Sequence, residues 1–272
     1  MSGSYYGSNS SGACDVATPR SIAGSEPTAV GKFPVFVFLT GTTMPFNGTE
    51  AQALTNAMAE RGFVAATVEY DNAQYPACTA MRAKAGCIWN AVSANSAISK
   101  LCARDKADCA NKGIVVSGFS QGANLAALSK NYDARVRAAF LIGHGNVASG
   151  LIDVRSCAND SATTLLPSEM RSVNGDSDQF FGFTASGVKS QLQAVVGVSC
   201  SSASTCLQAD GSGWYIISSS QLSDRKADHC YYFNGANSTC STFNGLDSGW
   251  NTGTSPWSMQ PNLDWLASRA TL

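Results

Sequence analysis

Charge is scarce in this chain. Only 14% of its 272 residues are Asp, Glu, Lys or Arg, against roughly a quarter in an average globular protein. The 18 basic and 19 acidic side chains leave a formal net charge of −1, so no basic stripe is available to follow a nucleic-acid backbone. No apolar run reaches the roughly 18 residues that a membrane-spanning helix requires, so no span is expected. Histidine is nearly absent, with His144 and His229 the only two, and the ten cysteines contain no Cys-x-x-Cys pair. Together these absences argue against the common zinc-ligand patterns, and no metal is expected. The opening residues Met1 to Tyr6 show no basic region followed by an apolar run. No signal peptide is therefore expected there, the form a mature secreted chain with a new Met1 would have.

The polar surface is supplied instead by Ser, Thr, Asn and Gly, a composition that suits uncharged partners. Ten cysteines in a chain of this size imply five disulfides and an oxidising, extracellular compartment. Proximity in sequence suggests Cys78 with Cys87, Cys102 with Cys109, Cys200 with Cys206 and Cys230 with Cys240, leaving Cys14 for Cys157. Four Asn-x-Ser/Thr sequons, at Asn9, Asn47, Asn159 and Asn237, are compatible with secretion.

The length suits one large α/β domain. Residues 1–31 are Ser/Gly-rich and read as a surface arm, fastened through Cys14; residues 32–272 read as a single domain without repeat or linker. Phe33 to Thr40 is a continuous apolar run of strand length, the mark of a strand buried on both faces. Further strands are expected at Phe63 to Tyr70, Gly113 to Ser117, Val136 to Ile142, Met170 to Val173 and Trp214 to Ile217. Helical spacing lies between them: Thr49 to Arg61, opened by a Thr49-x-x-Gln52 capping box and closed by Gly62; a long helix over Ala80 to Leu101; one from Gln121 to about Lys130; Ala185 to Val196; and a last one at about Asn262 to Arg269. The alternation predicts an α/β fold, a mostly parallel central sheet with helices on both faces. In such sheets sites form beyond the carboxyl ends of the strands. The segments Gly143 to Pro167 and Cys230 to Trp257 read as long loops, the first as a wall of a site, the second as a covered loop held by a disulfide.

One strand end carries a motif. Gly118-Phe119-Ser120-Gln121-Gly122 joins the third strand to its helix, and a Gly-x-Ser-x-Gly turn in that context exposes its serine above the sheet edge, next to backbone N–H groups of the helix start. Ser120 is the expected nucleophile. A serine hydroxyl needs a base, and the base needs a third group to hold its tautomer. Of the two histidines, His229 follows the last strand and suits the chain order serine, acid, histidine; His144, also at a strand end, reads as a cleft wall. For the acid, Asp178 past the fifth strand is preferred, with Asp176 in reserve as a turn-former and Asp228 as a surface charge. An oxyanion needs preorganised donors, expected from the backbone N–H of Gln121 and of Thr42 in the loop after the first strand. Phe46, Phe119 and Phe180 are candidate substrate contacts, with Met44, Phe181 and Tyr231 nearby; about half of this set should be ordinary core.

With these residues in place the chain resembles the α/β-hydrolase superfamily over about residues 32–270, with Ser120, Asp178 and His229 in that order and Gly41-Thr42 at the oxyanion loop. The elbow Gly118 to Ala123 resembles those of cutinases and small secreted carboxylesterases. The resemblance implies the α/β-hydrolase fold and hydrolysis of an uncharged lipid, cell-wall or polyester-type ester through an acyl-enzyme, without metal or organic cofactor. The partner would be a small-molecule or polymeric ester, and the chain is expected to act as a monomer. Acyl transfer with the same triad, or a binding protein on the same scaffold, are the alternatives.

Overall fold

A computed structural model of the chain describes residues 1–145, 163–232 and 247–271. The strands are β1 (Ser2–Ser8), β2 (Cys14–Ser25), β3 (Val35–Leu39), β4 (Val64–Val68), β5 (Ile114–Phe119), β6 (Val136–Ile142), β7 (Met170–Gly175), β8 (Thr205–Leu207) and β9 (Gly213–Ile217). They form one nine-stranded sheet in the order β1-β2-β4-β3-β5-β6-β7-β9-β8. From β4 to β9 every neighbouring pair is parallel, so the six strands expected from the sequence all end at one edge. The central strands are buried along their whole length, which is why they read as unbroken apolar runs rather than alternating ones.

The helices are α1 (Thr49–Glu60), α2 (Cys78–Trp89), α3 (Ala97–Cys102), α4 (Gln121–Ala127), α5 (Ala185–Val196), α6 (Ser248–Thr252) and α7 (Met259–Ala267). Side chains alternate across a strand, and here they feed two cores. Val35, Val37, Leu39 and Val116 pack with Met81, Trp89, Leu125 and Leu192 of α2, α4 and α5. Phe36, Phe38 and Val115 pack on the other face with Leu54 and Met58 of α1 and Leu263 and Leu266 of α7. The α/β-hydrolase architecture, a mostly parallel sheet covered on both faces, follows.

Several local expectations are corrected. The arm at residues 1–31 contains β1 and β2, an antiparallel pair that extends the sheet, with Ile22 opposite Val68. Its anchors are Tyr5 and Ile22, both buried, and Tyr5 donates its hydroxyl to Glu69 O at 2.6 Å. The long helix over Ala80 to Leu101 is two helices. Asn90 accepts from the backbone of Val92 at 3.1 Å and Ser96 caps α3 by accepting from Ser99 N at 3.2 Å, side-chain bonds that compete with helix continuation. Thr49 and Gln52 form no capping box: the N-cap is Gly48, and the Gln52 amide donates to Asn47 O at 2.7 Å.

Disulfides join Cys14 to Cys87, Cys102 to Cys109 and Cys200 to Cys206. The expected Cys78–Cys87 and Cys14–Cys157 bridges are thereby excluded, since the sheet carries the start of β2 to the end of α2, 73 residues away in sequence. Cys78 and Cys230 are also disulfide-bonded; Cys157 and Cys240 lie outside the described residues, as do residues 146–162 and 233–246 of the two expected loops. Three or more bridges fit an oxidising compartment. No helix among the described residues is long and apolar enough to cross a membrane.

Candidate active site

Ser120 follows the carboxyl end of β5 and is held in an uncommon backbone conformation, φ 54° and ψ −119°. A non-glycine residue there is strained, and persists only where its surroundings over-determine it. They do so here. Ser120 N donates to Ile142 O of the neighbouring strand at 2.9 Å, and Ser120 O accepts from Ala123 N at 3.0 Å and Asn124 N at 3.2 Å. The flanking glycines are obligatory. A Cβ on Gly118 would run into the backbone of Gly122, and one on Gly122 into the carbonyls of Leu39 and Thr40.

His229 and Asp178 meet 51 residues apart in sequence, His229 Nδ1 lying 2.8 Å from Asp178 Oδ2. Both side chains are buried, at 1% and 0% exposure. A buried carboxylate must have its oxygens occupied: Asp178 Oδ1 accepts from Phe180 N and Phe181 N, each at 2.9 Å, and Oδ2 faces the imidazole. The ring of His229 rests on Phe119, the residue before Ser120, with centroids 4.6 Å apart, and is bordered by Phe180 at 4.8 Å and Phe181 at 5.6 Å. Its backbone is pinned too, His229 N donating to Gln179 Oε1 at 3.2 Å.

The structure places the three expected substrate contacts differently. Phe119 is buried, enclosed by His229 and by Tyr232 at 4.7 Å, and its ring packs against the imidazole. Phe180 is half-buried and stands edge-on to His229. Phe46 is half-buried as well, and its carbonyl accepts from the Thr67 hydroxyl.

The reserve Asp176 and Asp228, the latter expected as a surface charge but buried, point elsewhere. Asp176 accepts from Ser219 Oγ at 2.6 Å and Ser219 N at 2.9 Å, fixing the turn after β9. Asp228 accepts from Cys230 N at 2.7 Å, and burial raises its carboxyl above the ordinary range. His144 is fully buried, with neither ring nitrogen partnered among the described residues. Burial lowers it from 6.5 to about 3, so it stays neutral. The consequence can be measured. Above about pH 6.5 both native and unfolded chains hold this imidazole neutral; below it, only the unfolded chain takes up the proton, so stability falls towards pH 3 by up to about 1.4 kcal/mol per unit. His144→Phe is expected to flatten the acid limb of a Tm-against-pH curve between those limits; an acid limb of unchanged slope contradicts this.

The loop after β3 is braced from the loop after β4. Tyr70 Oη donates to Thr40 O at 2.5 Å, Asn72 Nδ2 donates to Gly41 O and Met44 O at 2.7 Å each, and Thr43 N donates to Asn72 O at 2.8 Å. Gln121 Nε2 donates to Thr42 Oγ1 at 2.9 Å, so the two residues expected to supply backbone donors are in direct contact. Sequence reasoning missed Asn72 and Asn174. Asn174 Oδ1 accepts from His144 N at 3.0 Å, its Nδ2 donates to His144 O at 2.9 Å, and the same amide reaches Asp178 Oδ2 at 3.5 Å. Each asparagine sits at or just past the carboxyl end of a strand, the one signal that could have found them. Among the described residues no group of three or more His, Cys, Asp or Glu side chains is placed to hold a metal. The chemistry available is a strained serine, a buried histidine–carboxylate pair and a loop after β3 braced through its carbonyls.

One solved structure agrees with this architecture. The solved 2,6-dihydroxy-pseudo-oxynicotine hydrolase is similar in fold, with TM-score 0.54 and 15% identity over 99% of this chain and 67% of that one. An esterase from Pyrobaculum calidifontis matches with TM-score 0.46 and 16% identity over 66% of this chain and 67% of its own. No curated protein matches the chain in sequence. The Cutinase family profile matches residues 34–205, more than half of the chain, a span that holds Ser120 and Asp178 and stops before His229. The chain belongs to the cutinase family and is a carboxylic ester hydrolase.

Proposed function

We propose that the protein is a secreted serine esterase in which Ser120, His229 and Asp178 cleave an uncharged lipid, cell-wall or polyester-type ester through an acyl-enzyme. The observation that carries this reading is the buried His229–Asp178 pair, 2.8 Å between Nδ1 and Oδ2, seated on the residue that precedes the strained serine. With Nδ1–H held by the carboxylate, Nε2 is left as the basic nitrogen. Ser120 Oγ attacks the ester carbonyl as His229 takes its proton; the imidazolium, stabilised by Asp178, then protonates the leaving alcohol. The acyl-enzyme forms, and a water activated by the same imidazole hydrolyses it.

The oxyanion of each tetrahedral intermediate is stabilised by the backbone N–H groups of Gln121 and Thr42, with Gln121 Nε2 fixing the Thr42 side chain. Preorganisation matters because donors that do not reorient during the reaction lower its barrier most. The bracing of this loop by Tyr70 and Asn72 supplies it. Turnover of a short-chain aryl ester that depends on Ser120 tests the assignment; turnover retained in Ser120→Ala overturns it.

A further inference from the structure

Lys84 is a buried cation for which the triad chemistry has no use. It lies on α2, whose inward stripe is Met81, Lys84, Ala85 and Ile88, the spacing of a core-facing helix side. An aliphatic side chain suits that stripe, and a lysine only 7% exposed breaks it. Burying an ammonium is costly unless its protons find acceptors. Its carboxylate neighbour compensates little, because Asp71 Oδ2 is 4.0 Å away on a half-exposed side chain. Departures of this kind from the local pattern are expected at functional sites.

The acceptors of Lys84 lead to the elbow. Its Nζ donates to Asp71 O, and to Gln121 Oε1 at 3.4 Å. Gln121 follows Ser120 and is fully buried. Partners fix which way its amide points. Gln74 O can only accept, so the group 2.9 Å from it is the NH2. The same NH2 donates to Thr42 Oγ1 at 2.9 Å, which leaves the amide oxygen facing Lys84. Without the ammonium that oxygen would be a buried acceptor with no donor, an expensive state. The amide escapes it only by turning, and turning gives up Thr42 or Gln74.

The surroundings of Lys84 set how firmly it holds its proton. Burial is the largest influence and lowers it below the ordinary 10.5; Asp71, in the loop after β4, favours the charge, and Arg20 of β2 opposes it. Arg20 is itself paired with Glu69 at 3.6 Å. The tyrosines of the same core, Tyr5, Tyr70 and Tyr75, are held neutral by burial, and α4 presents the neutral Gln121 amide. A hydrogen bond from a charged donor is roughly twice as strong as one from a neutral donor, so the link to Gln121 weakens when the proton leaves.

We propose that protonated Lys84 is a positioning residue: through the Gln121 amide it ties Thr42 to the elbow and keeps the backbone N–H groups of Gln121 and Thr42 aimed at one point. The inference rests on the Ser120 esterase reading. Because Lys84 acts through Gln121, its loss falls on the transition state and is read in kcat, with KM largely spared.

Lys84→Met keeps the aliphatic stem and removes the ammonium. On a short-chain aryl ester it is expected to lower kcat about tenfold or more, part of the roughly 10^2 to 10^3 that a lost oxyanion donor costs, with KM within about threefold. Gln121→Leu keeps the backbone donor and removes the amide. In that background Lys84→Met is expected to change kcat by less than about threefold, because the link is already cut. Equal losses in both backgrounds, the behaviour of a merely structural lysine, overturn the proposal; so does a loss carried by KM, or an unchanged kcat in Lys84→Met. A second measurement leaves the core intact. Wild-type kcat is expected to fall several-fold along an alkaline limb below pH 10.5 as Lys84 loses its proton. Asp71→Asn removes the charge that favours that proton, so the limb moves to lower pH while circular dichroism stays constant. No limb below pH 10.5, or a limb at the same pH in both chains, also overturns the proposal. Turnover that survives Ser120→Ala would overturn the esterase reading and this inference together; turnover that needs Ser120, with equal losses in both backgrounds, overturns this inference alone.

Discussion

Ser120→Ala is expected to lower kcat on a short-chain aryl ester by about 10^5 to 10^6, with KM changed little. The size follows from how a triad works: its members act as one unit, so removing the nucleophile costs about as much as removing the whole set, and what remains comes from oxyanion stabilisation and binding alone. The substitution should be structurally mild. Ser120 holds its turn through backbone bonds to Ile142, Ala123 and Asn124, none of which uses the hydroxyl. Alanine at φ 54° is as strained as serine there, so Tm should move by only a few degrees. Circular dichroism and Tm measured alongside kcat distinguish lost chemistry from lost fold. A fall of less than about a hundredfold in kcat would mean that another group delivers the nucleophile.

The second large effect is expected for Asp178→Asn, and the hydrogen bonds give its mechanism. Asp178 Oδ1 accepts from two backbone N–H groups, those of Phe180 and Phe181. An amide at this position can satisfy both only by placing its oxygen there, which turns its NH2 towards His229 Nδ1. The imidazole must then accept at Nδ1 and carry its proton on Nε2, the wrong tautomer for a base facing the serine. A loss on the order of 10^4 in kcat is expected, as for an equivalent change in a serine protease triad, with the fold kept. Asp176→Asn is the control, because that carboxylate is spent on Ser219 and should leave kcat within a few-fold. Comparable losses in both variants would contradict the assignment of Asp178.

The central strands β3, β4 and β5 were legible because they are buried along their whole length, and burial on both faces writes itself as a mainly apolar run. The elbow was legible because close approach permits only glycine at 118 and 122. Chain order and strand ends singled out His229 and Asp178, two side chains that lie 2.8 Å apart. What was hidden depends on contacts that sequence neighbours do not report. β1 and β2 mix exposed with half-buried side chains and bury few, so their Ser/Gly-rich sequence carries no apolar pattern, although the sheet edge pairs with them. The Cys14–Cys87 bridge exists only because that pairing brings β2 to α2. Phe119 sat in the motif as a candidate substrate contact, and its packing against an imidazole from far along the chain depends on where the last loop returns. The polar braces Asn72 and Asn174 act through single amides, which have no periodicity to betray them.

The central claim is that one serine in the chain is a nucleophile activated by a buried histidine–carboxylate pair. Reaction with a fluorophosphonate probe, followed by peptide mapping, tests it directly. The account predicts one probe per chain, attached to Ser120, with labelling abolished in Ser120→Ala and slowed by orders of magnitude in His229→Ala. Labelling of a different serine, or no labelling of the folded wild-type chain, would contradict it.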